Sequence, residues 1–106
     1  LMADTIIHNG DVGTIIRLTI TEDDDTTAIN VSGASVKTFY FLKPDGTKEN
    51  VDAEFDSDGA DGKLKYTTIA GDIDTTGRWQ VQAYVEIGSA KYYSTKTTFT
   101  VQSNLA

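Results

Sequence analysis

Residues 78–87 read Arg-Trp-Gln-Val-Gln-Ala-Tyr-Val-Glu-Ile, and this stretch decides the fold. Every second residue from Trp79 to Val85 is apolar, and the residues between them are Gln80, Gln82 and Tyr84. Alternation with a period of two is the pattern of a β-strand that has one buried and one solvated face. The stretch therefore predicts a strand whose inner face is anchored by Trp79.

The same alternation recurs along the chain, within residues 14–21, 49–55 and 91–101. Turn sequences separate these segments, and the clearest is Pro44-Asp45-Gly46, because Pro fixes φ and Gly accepts a positive φ. No window of the sequence shows a convincing helical period. Short strands with regularly spaced turns are typical of an all-β sandwich or barrel, and 106 residues suffice for a single domain.

The register of the last hairpin can be deduced from the residues of each strand that should face the core. We expect Gly88-Ser89-Ala90 to form a three-residue loop, so that Ile87 pairs with Lys91. This register predicts three inner pairs and two outer pairs: Trp79 with Phe99, Val81 with Thr97, Val85 with Tyr93, Tyr84 with Ser94 and Gln82 with Lys96. A slip of one residue would reverse the faces, so the buried side should specify the register.

Composition excludes several classes of protein. Sixteen acidic residues against nine basic ones give a formal net charge of −7, which disfavours nucleic acid and anionic lipid as partners. The chain has no cysteine and one histidine, so a thiol nucleophile and the usual multi-ligand zinc sites are excluded. No apolar run could insert into a membrane, and no signal-peptide pattern is visible, so we expect synthesis in a cytoplasm.

The segment Asp72-x-Asp74-x-x-Gly77-x-Trp79-x-Val81 resembles the tyrosine corner that opens strand F of immunoglobulin-like domains. Here Trp79 stands in place of the tyrosine and Val81 in place of the cysteine. The resemblance implies an immunoglobulin-like β-sandwich of about seven antiparallel strands in one domain, residues 1–106, with residues 1–4 and 102–106 as flexible tails. The expected strands are A 5–8, B 14–21, C 36–43, D 48–55, E 63–68, F 78–87 and G 91–101, with a possible short strand at 29–31.

Residues 5–101 also resemble the immunoglobulin-like modules of tailed-bacteriophage virions, above all the N-terminal domain of baseplate upper proteins and related head, neck and tail accessory proteins. The resemblance rests on the segments 8–14, 43–47, 62–66 and 70–79. It implies a structural part of the virion that assembles with its own copies or with other virion proteins, and it implies no cofactor.

The predicted core combines the inward residues of these strands. Its anchors are Trp79, Phe99, Phe39 and Phe41. The other expected members are Ile16, Leu18, Ile20, Val31, Val51, Phe55, Leu64, Tyr66, Val81, Val85 and Val101.

Tyrosine and glutamine should cluster on the outer face of strands C, F and G. Tyrosine is common at protein interfaces because one end of the side chain is apolar and the other polar. We therefore predict an interface, against the alternative of ordinary cross-strand pairing on a solvated sheet. The candidate residues are Tyr40, Gln80, Gln82, Tyr84, Tyr92 and Lys96.

No catalytic residue is predicted. His8 is the sole histidine, and no serine lies in a nucleophile-elbow sequence. Asp52 and Glu54 alternate with apolar residues and suit a solvated strand face better than a glycosidase pair. The acidic segments 22–25 and 56–62 suit solvated loop tips. Within the second, Asp56, Asp58 and Asp61 could also form a calcium loop, although the spacing departs from the EF-hand pattern, and the prediction is that no metal binds.

Three functions remain open. The first is a non-enzymatic structural and assembly protein of the virion, packing against itself or against a neighbouring capsid, neck, tail or baseplate protein. The second is an adhesive or carbohydrate-binding domain on the virion surface, for host attachment or capsid decoration. The third is a small hydrolase, which the missing nucleophile and base disfavour.

Overall fold

A computed structural model describes residues 6–21, 27–94 and 96–104. Within these ranges the chain is all-β. The nine strands are β1 (Ile6–His8), β2 (Ile15–Thr19), β3 (Val36–Leu42), β4 (Lys48–Asp52), β5 (Glu54–Phe55), β6 (Lys63–Thr67), β7 (Gly77–Ile87), β8 (Ala90–Tyr93) and β9 (Thr97–Gln102).

Two sheets form the sandwich. The larger sheet has the order β1-β9-β7-β3-β4, with β8 paired to the other half of β7, and the smaller sheet has the order β2-β6-β5. All pairs are antiparallel except β1 with β9, which run parallel. The predicted strands C, F and G correspond to β3, β7 and β9, which are neighbours in the larger sheet, as expected.

The strand expected over residues 48–55 is two strands. β4 pairs with β3 in the larger sheet, whereas β5 pairs with β6 in the smaller one. The chain changes sheets at Ala53, which is buried and whose N–H donates to the carbonyl of Lys37 over 3.0 Å. Alternation continues across the break, and therefore the period alone did not reveal it.

The strand expected over residues 91–101 is also two strands, and its predicted register is half right. Near the core, Trp79 pairs with Phe99 and Val81 with Thr97, as expected. Near the turn, Ile87 pairs with Ala90 and Tyr84 with Tyr93, so the predicted pairs of Ile87 with Lys91, Val85 with Tyr93 and Tyr84 with Ser94 are wrong. The loop has two residues, and between Ser94 and Thr97 the register changes by one residue, which is the change that a β-bulge introduces.

The segment 29–31 forms no strand; an isolated bridge joins Thr21 to Ala28 instead. At the other end of the chain, β9 reaches Gln102, which pairs with His8, and the Asn104 side chain donates to the carbonyl of Asn9 over 2.6 Å. Pairing therefore extends past the predicted start of the C-terminal tail.

The core lies between the two sheets, and Trp79, Phe99 and Phe39 are its largest fully buried side chains. Trp79 stacks on Phe99 at 5.6 Å between ring centroids and meets Phe41 edge-on at 6.2 Å. Three residues predicted as core are only partly buried and pack against its edge: Val51, Phe55 and Tyr66. Four buried residues were missing from the predicted core: Ile7, Ala53, Ile73 and Ala83.

Trp79 also forms the corner for which immunoglobulin-like domains use tyrosine. Its indole N–H donates to the carbonyl of Thr75, four residues upstream, over 2.8 Å. A bond from an aromatic side chain to the preceding backbone therefore occurs here, similar to that of a tyrosine corner but with tryptophan as the donor. Asp72 braces the same corner, because its carboxylate accepts from the Tyr66 hydroxyl over 2.6 Å and from the Ile69 N–H over 2.8 Å.

Among the described residues, none lies in a helix of the length and hydropathy that crossing a membrane requires.

Candidate functional site

The outer face of the larger sheet follows from the parity of β3 and β7. On both strands the odd-numbered residues, such as Phe39 and Val81, enter the core. The even-numbered residues of β3 and β7 therefore face outward. Tyr40 lies opposite Gln82 and Leu42 lies opposite Gln80 on this surface. The predicted members Tyr40, Gln80, Gln82 and Tyr84 are thus brought together on one face.

Three tyrosines form a row across this face. The ring centroids of Tyr40 and Tyr84 are 6.2 Å apart, and those of Tyr84 and Tyr93 are 4.8 Å apart. The flanking rings are open, with Tyr40 41% and Tyr93 59% exposed, and they cover Tyr84, which is 7% exposed. We call Tyr40, Tyr84 and Tyr93 the tyrosine row.

Tyr92, a predicted member of this face, does not belong to it. The two-residue turn pairs Tyr92 with Val85, whose side chain points into the core, and pairs Tyr93 with Tyr84. Directly paired residues of antiparallel strands project to the same side of a sheet. Tyr92 therefore projects to the opposite side, where it is 37% exposed. Tyr93 occupies the outer-face position that was predicted for Tyr92.

The bulge that places Tyr93 is held by Ser94. The Ser94 N–H donates to the carbonyl of Ala83 over 2.9 Å, and its hydroxyl oxygen accepts from the Ala83 N–H over 2.8 Å. The amide of Gln82 donates to the Ser94 carbonyl over 2.9 Å. Gln82 is therefore partly structural, since it fixes the bulge from the outer face.

The hydroxyl of Tyr84 already has a hydrogen-bond partner within the domain. It donates to the Glu86 carboxylate over 2.7 Å. This hydrogen bond, with burial of the phenol, raises the pKa of Tyr84 to about 12. Tyr84 is thus neutral throughout the physiological pH range and supports the two exposed rings beside it.

A groove of about 380 Å³ runs beside the tyrosine row. Its floor is formed by the central strands β3 and β7, and Lys96, predicted for this face, lies at its margin. The lining residues are Tyr40, Phe41, Leu42, Lys48, Gln80, Val81, Gln82, Tyr93 and Lys96. Leu42, Lys48 and Tyr93 were not predicted from the sequence as members of this face. Parity on β3 could have indicated Leu42, and a Gly-Ser pair as a two-residue turn could have indicated Tyr93.

Basic side chains outnumber acidic ones on this face. The residues that line or project from this face include four bases, which are Lys48, Arg78 and Lys91 on strands and Lys96 just before β9, and two acids, Asp52 and Glu86. The whole chain has a net charge of −7. The outer face therefore has the opposite sign from the molecule as a whole.

The candidate calcium loop holds its carboxylates apart. Asp56 accepts from the Arg17 guanidinium over 3.1 Å, Asp58 accepts from the Ala60 N–H over 2.9 Å, and Asp61 accepts from the Lys63 N–H over 3.0 Å. In the part of the chain that the structure describes, no group of three or more His, Cys, Asp or Glu side chains is arranged to hold a metal. The other acidic segment, residues 22–25, lies outside the described residues.

The remaining candidates for chemistry lie apart. His8 is exposed at the end of β1, and its backbone N–H donates to Asp11 over 3.0 Å. Asp52 and Glu54 flank the residue at which the chain changes sheets, so one belongs to each sheet. The structure brings neither carboxylate to His8 or to the groove.

The fold and this face define a small β-sandwich module that carries an aromatic, basic surface on its larger sheet. The family model of the BppU N-terminal domain matches residues 4–106. The chain therefore belongs to the family of N-terminal domains of phage baseplate upper proteins, as the sequence resemblance indicated. It is a baseplate-related domain of a virion structural protein.

The solved structure of CopC from Methylosinus trichosporium OB3b has a similar fold. Its TM-score is 0.59 at 16% sequence identity, with 98% of this chain and 90% of that chain covered. At this identity the likeness concerns the fold alone. No curated protein matches the chain.

Proposed function

We propose that this domain is a non-enzymatic assembly module of the virion whose outer face packs against a copy of itself or against a neighbouring capsid, neck, tail or baseplate protein. The observation that carries the proposal is the tyrosine row, with two open rings at the centre of the larger sheet. Membership of a baseplate family supports a structural role in place of a catalytic one.

The row has the physical properties of a contact surface. Tyr93 and Tyr40 expose rings that would lose water on association, while their hydroxyls can bond to a partner. Tyr84 is already packed and bonded, so it loses no side-chain freedom when a partner arrives. A rigid aromatic centre within a polar surround is the usual arrangement of residues that dominate binding energy.

The test exploits two adjacent tyrosines on opposite sides of β8. Tyr93→Ala removes an exposed ring of the row, and Tyr92→Ala removes a ring of the same size outside it. In phage that encode each variant, mass spectrometry of purified virions measures the amount of the chain per particle. We expect Tyr93→Ala to reduce incorporation and Tyr92→Ala to leave it near the parent level.

Equal incorporation of the two variants would refute the proposal. Light scattering of the isolated chain distinguishes the two possible partners. A concentration-dependent dimer or ring that Tyr93→Ala dissociates identifies a second copy of the chain. A monomer whose Tyr93→Ala variant is incorporated less identifies another virion protein.

A virion-surface role in adhesion or carbohydrate binding is the second candidate. The feature that favours it is the groove, where exposed tyrosine rings stand beside the Gln80 and Gln82 amides. Aromatic faces and amides together suit the apolar and hydroxyl faces of a sugar. A glycan array or a cell-wall pull-down that gives no signal with the intact chain would dismiss it.

A further inference from the structure

We propose that the groove binds an extended, acidic polypeptide segment of a neighbouring virion protein, with one carboxylate at Lys48 and a second at Lys96. The inference rests on the proposed function and specifies the chemistry of its partner.

The two lysines stand at opposite sides of the groove. Lys48 lies on the edge strand β4, opposite Leu42, and Lys96 follows the bulge on the far side of β7. Strands β4, β3, β7 and β9 are consecutive in the sheet. Three intervals of about 4.8 Å separate the outer two strands, and Lys96 lies two residues along the sheet from the position in line with Lys48. The Cα atoms of the two lysines are therefore on the order of 14–16 Å apart, a span that their long side chains can adjust.

Both ammonium groups are available. Lys48 and Lys96 are exposed, and neither forms an ion pair with a described residue. The two acids of the face lie beyond the groove: Asp52 is in register with Thr38, and Glu86 is in register with Val36 and occupied by Tyr84. The groove is therefore a cationic site on an anionic molecule, and it would attract a segment of negative charge.

The floor between the lysines suits a backbone and a small apolar side chain. Leu42 and the ring of Tyr40 provide apolar surface, while the Gln80 amide is exposed to hydrogen-bond a peptide group. An extended chain advances about 3.4 Å per residue. Two carboxylates four positions apart would therefore span the two lysines.

The probe is the peptide acetyl-Gly-Glu-Ser-Val-Ser-Glu-Gly-amide, titrated into the full ¹⁵N-labelled chain at low salt and followed by amide chemical shifts. We expect saturable shifts at Gln80, Gln82 and Lys96. The Lys48→Glu/Lys96→Glu variant should weaken binding by about tenfold or more, since both charge pairs are reversed.

A matched control is available on the smaller sheet. Lys63→Glu/Lys65→Glu changes the net charge by the same amount, because it also replaces two exposed or half-exposed lysines, and it should retain the parent affinity. A peptide with both glutamates replaced by glutamine should not bind.

Three results of the titration would overturn the inference: no saturable shifts, equal binding of the glutamine peptide, or equal losses in the two double variants. A trigalacturonate that shifts the groove residues when the peptide does not would assign the site to an acidic glycan. The amount of each variant in purified virions distinguishes this inference from the proposed assembly role. If Lys48→Glu/Lys96→Glu is incorporated normally and Tyr93→Ala is not, the acidic-segment inference fails and the assembly role stands; if both are incorporated normally, the assembly role fails as well.

Discussion

Lys43 retains its charge in the interior, where only 6% of the residue is exposed. Its ammonium donates to Asp74 over 2.9 Å and to Glu49 over 3.0 Å, and it lies 5.5 Å from the centroid of the Trp79 ring. Desolvation lowers the pKa of Lys43, but the hydrogen bonds to Asp74 and Glu49 outweigh it and raise the pKa above its ordinary value. Lys43 thereby ties the turn after β3 to the corner before β7.

Asp74 makes the contribution of this network to the free energy of unfolding depend on pH. The hydrogen bond from Lys43, with a second from Thr75, holds the pKa of Asp74 below its ordinary value. At a pH near these pKa values the unfolded state therefore binds more protons than the folded state. The stabilisation that Asp74 provides above about pH 5 is lost as the pH falls through its folded-state pKa. We expect Asp74→Asn to be less stable than the parent at pH 7, with the difference shrinking towards pH 2.

Urea unfolding at a series of pH values measures this difference. Asp52→Asn, which changes an exposed carboxylate of the outer face that has no ion pair with a described residue, is the control. A gap between parent and Asp74→Asn that is constant with pH would contradict the linkage.

Trp79 combines two contributions that substitution can separate. Trp79→Phe keeps an aromatic ring in the core but removes the donor to Thr75. We expect a loss of about 1–3 kcal/mol from the unmade bond and the smaller ring, against about 3–5 kcal/mol for Trp79→Ala. Urea unfolding of both variants measures the two values. An unfolding midpoint for Trp79→Phe equal to that of the parent would show that the indole N–H contributes nothing.

At the scale of the elements, β7 shows what the sequence specifies well. Its alternation, its inward face and its pairing of Trp79 with Phe99 were all predictable, because one face is buried and parity leaves a single register. The tyrosines were harder to place. The Gly88-Ser89 turn sets one register and the core sets another, and the two differ by one residue. Only the position of the bulge reconciles them, and it depends on the Ser94 contacts.

The division of the predicted strand 48–55 was not predictable for a different reason. Val51 and Phe55 share a parity, and a continuous strand would explain both. The break at Ala53 arises from the packing of the two sheets, where the chain bonds to Lys37 before it joins β6. The predicted face includes Tyr40, Gln80, Gln82 and Lys96 of the groove, whereas Lys48, Tyr93 and the shape of the groove depend on the tertiary arrangement.

Ser94→Ala tests the bulge as an element. The substitution leaves the buried Ala83 N–H without its hydroxyl acceptor, and an unmade buried bond costs about 1–3 kcal/mol. We expect a stability loss of that order in thermal or urea unfolding, together with shifted ring resonances of Tyr93. Ser89→Ala, in the exposed turn of the same hairpin, should change neither. A Ser94→Ala variant with parent stability would show that the turn alone holds the register.

On the scale of the whole molecule, the acidity is unevenly distributed. Three ion pairs occur within the described residues, against a chain that carries sixteen acids. Carboxylates at the turns cap backbone N–H groups, as Asp45, Asp58 and Asp61 do, whereas the outer face of the larger sheet is basic. Among the described residues, most of the acids thus lie away from the proposed contact surface, and there they would oppose association through other parts of the domain.

Self-repulsion of this charge predicts the response to salt. Raising NaCl from 0.02 to 0.3 M at pH 7 should raise the melting temperature by about 2–4 °C, equivalent to about 0.5 kcal/mol, because screening relieves repulsion more than it weakens the few ion pairs. Differential scanning calorimetry measures the shift. Lys63→Glu/Lys65→Glu, with four more units of negative charge, should respond more strongly, and a melting temperature that falls with salt would contradict the account.

The β-bulge has an evolutionary consequence. It divides the last hairpin into a segment whose phase is locked by Phe99 and a segment, residues 90–93, whose phase is set by the turn. Gain or loss of one residue at the turn, with a two-residue loop kept, would exchange the faces of Tyr92 and Tyr93 while leaving the aromatic stack at Trp79 in place. Related domains could thus acquire a different contact surface through a single-codon insertion, without the burden of repacking their interior.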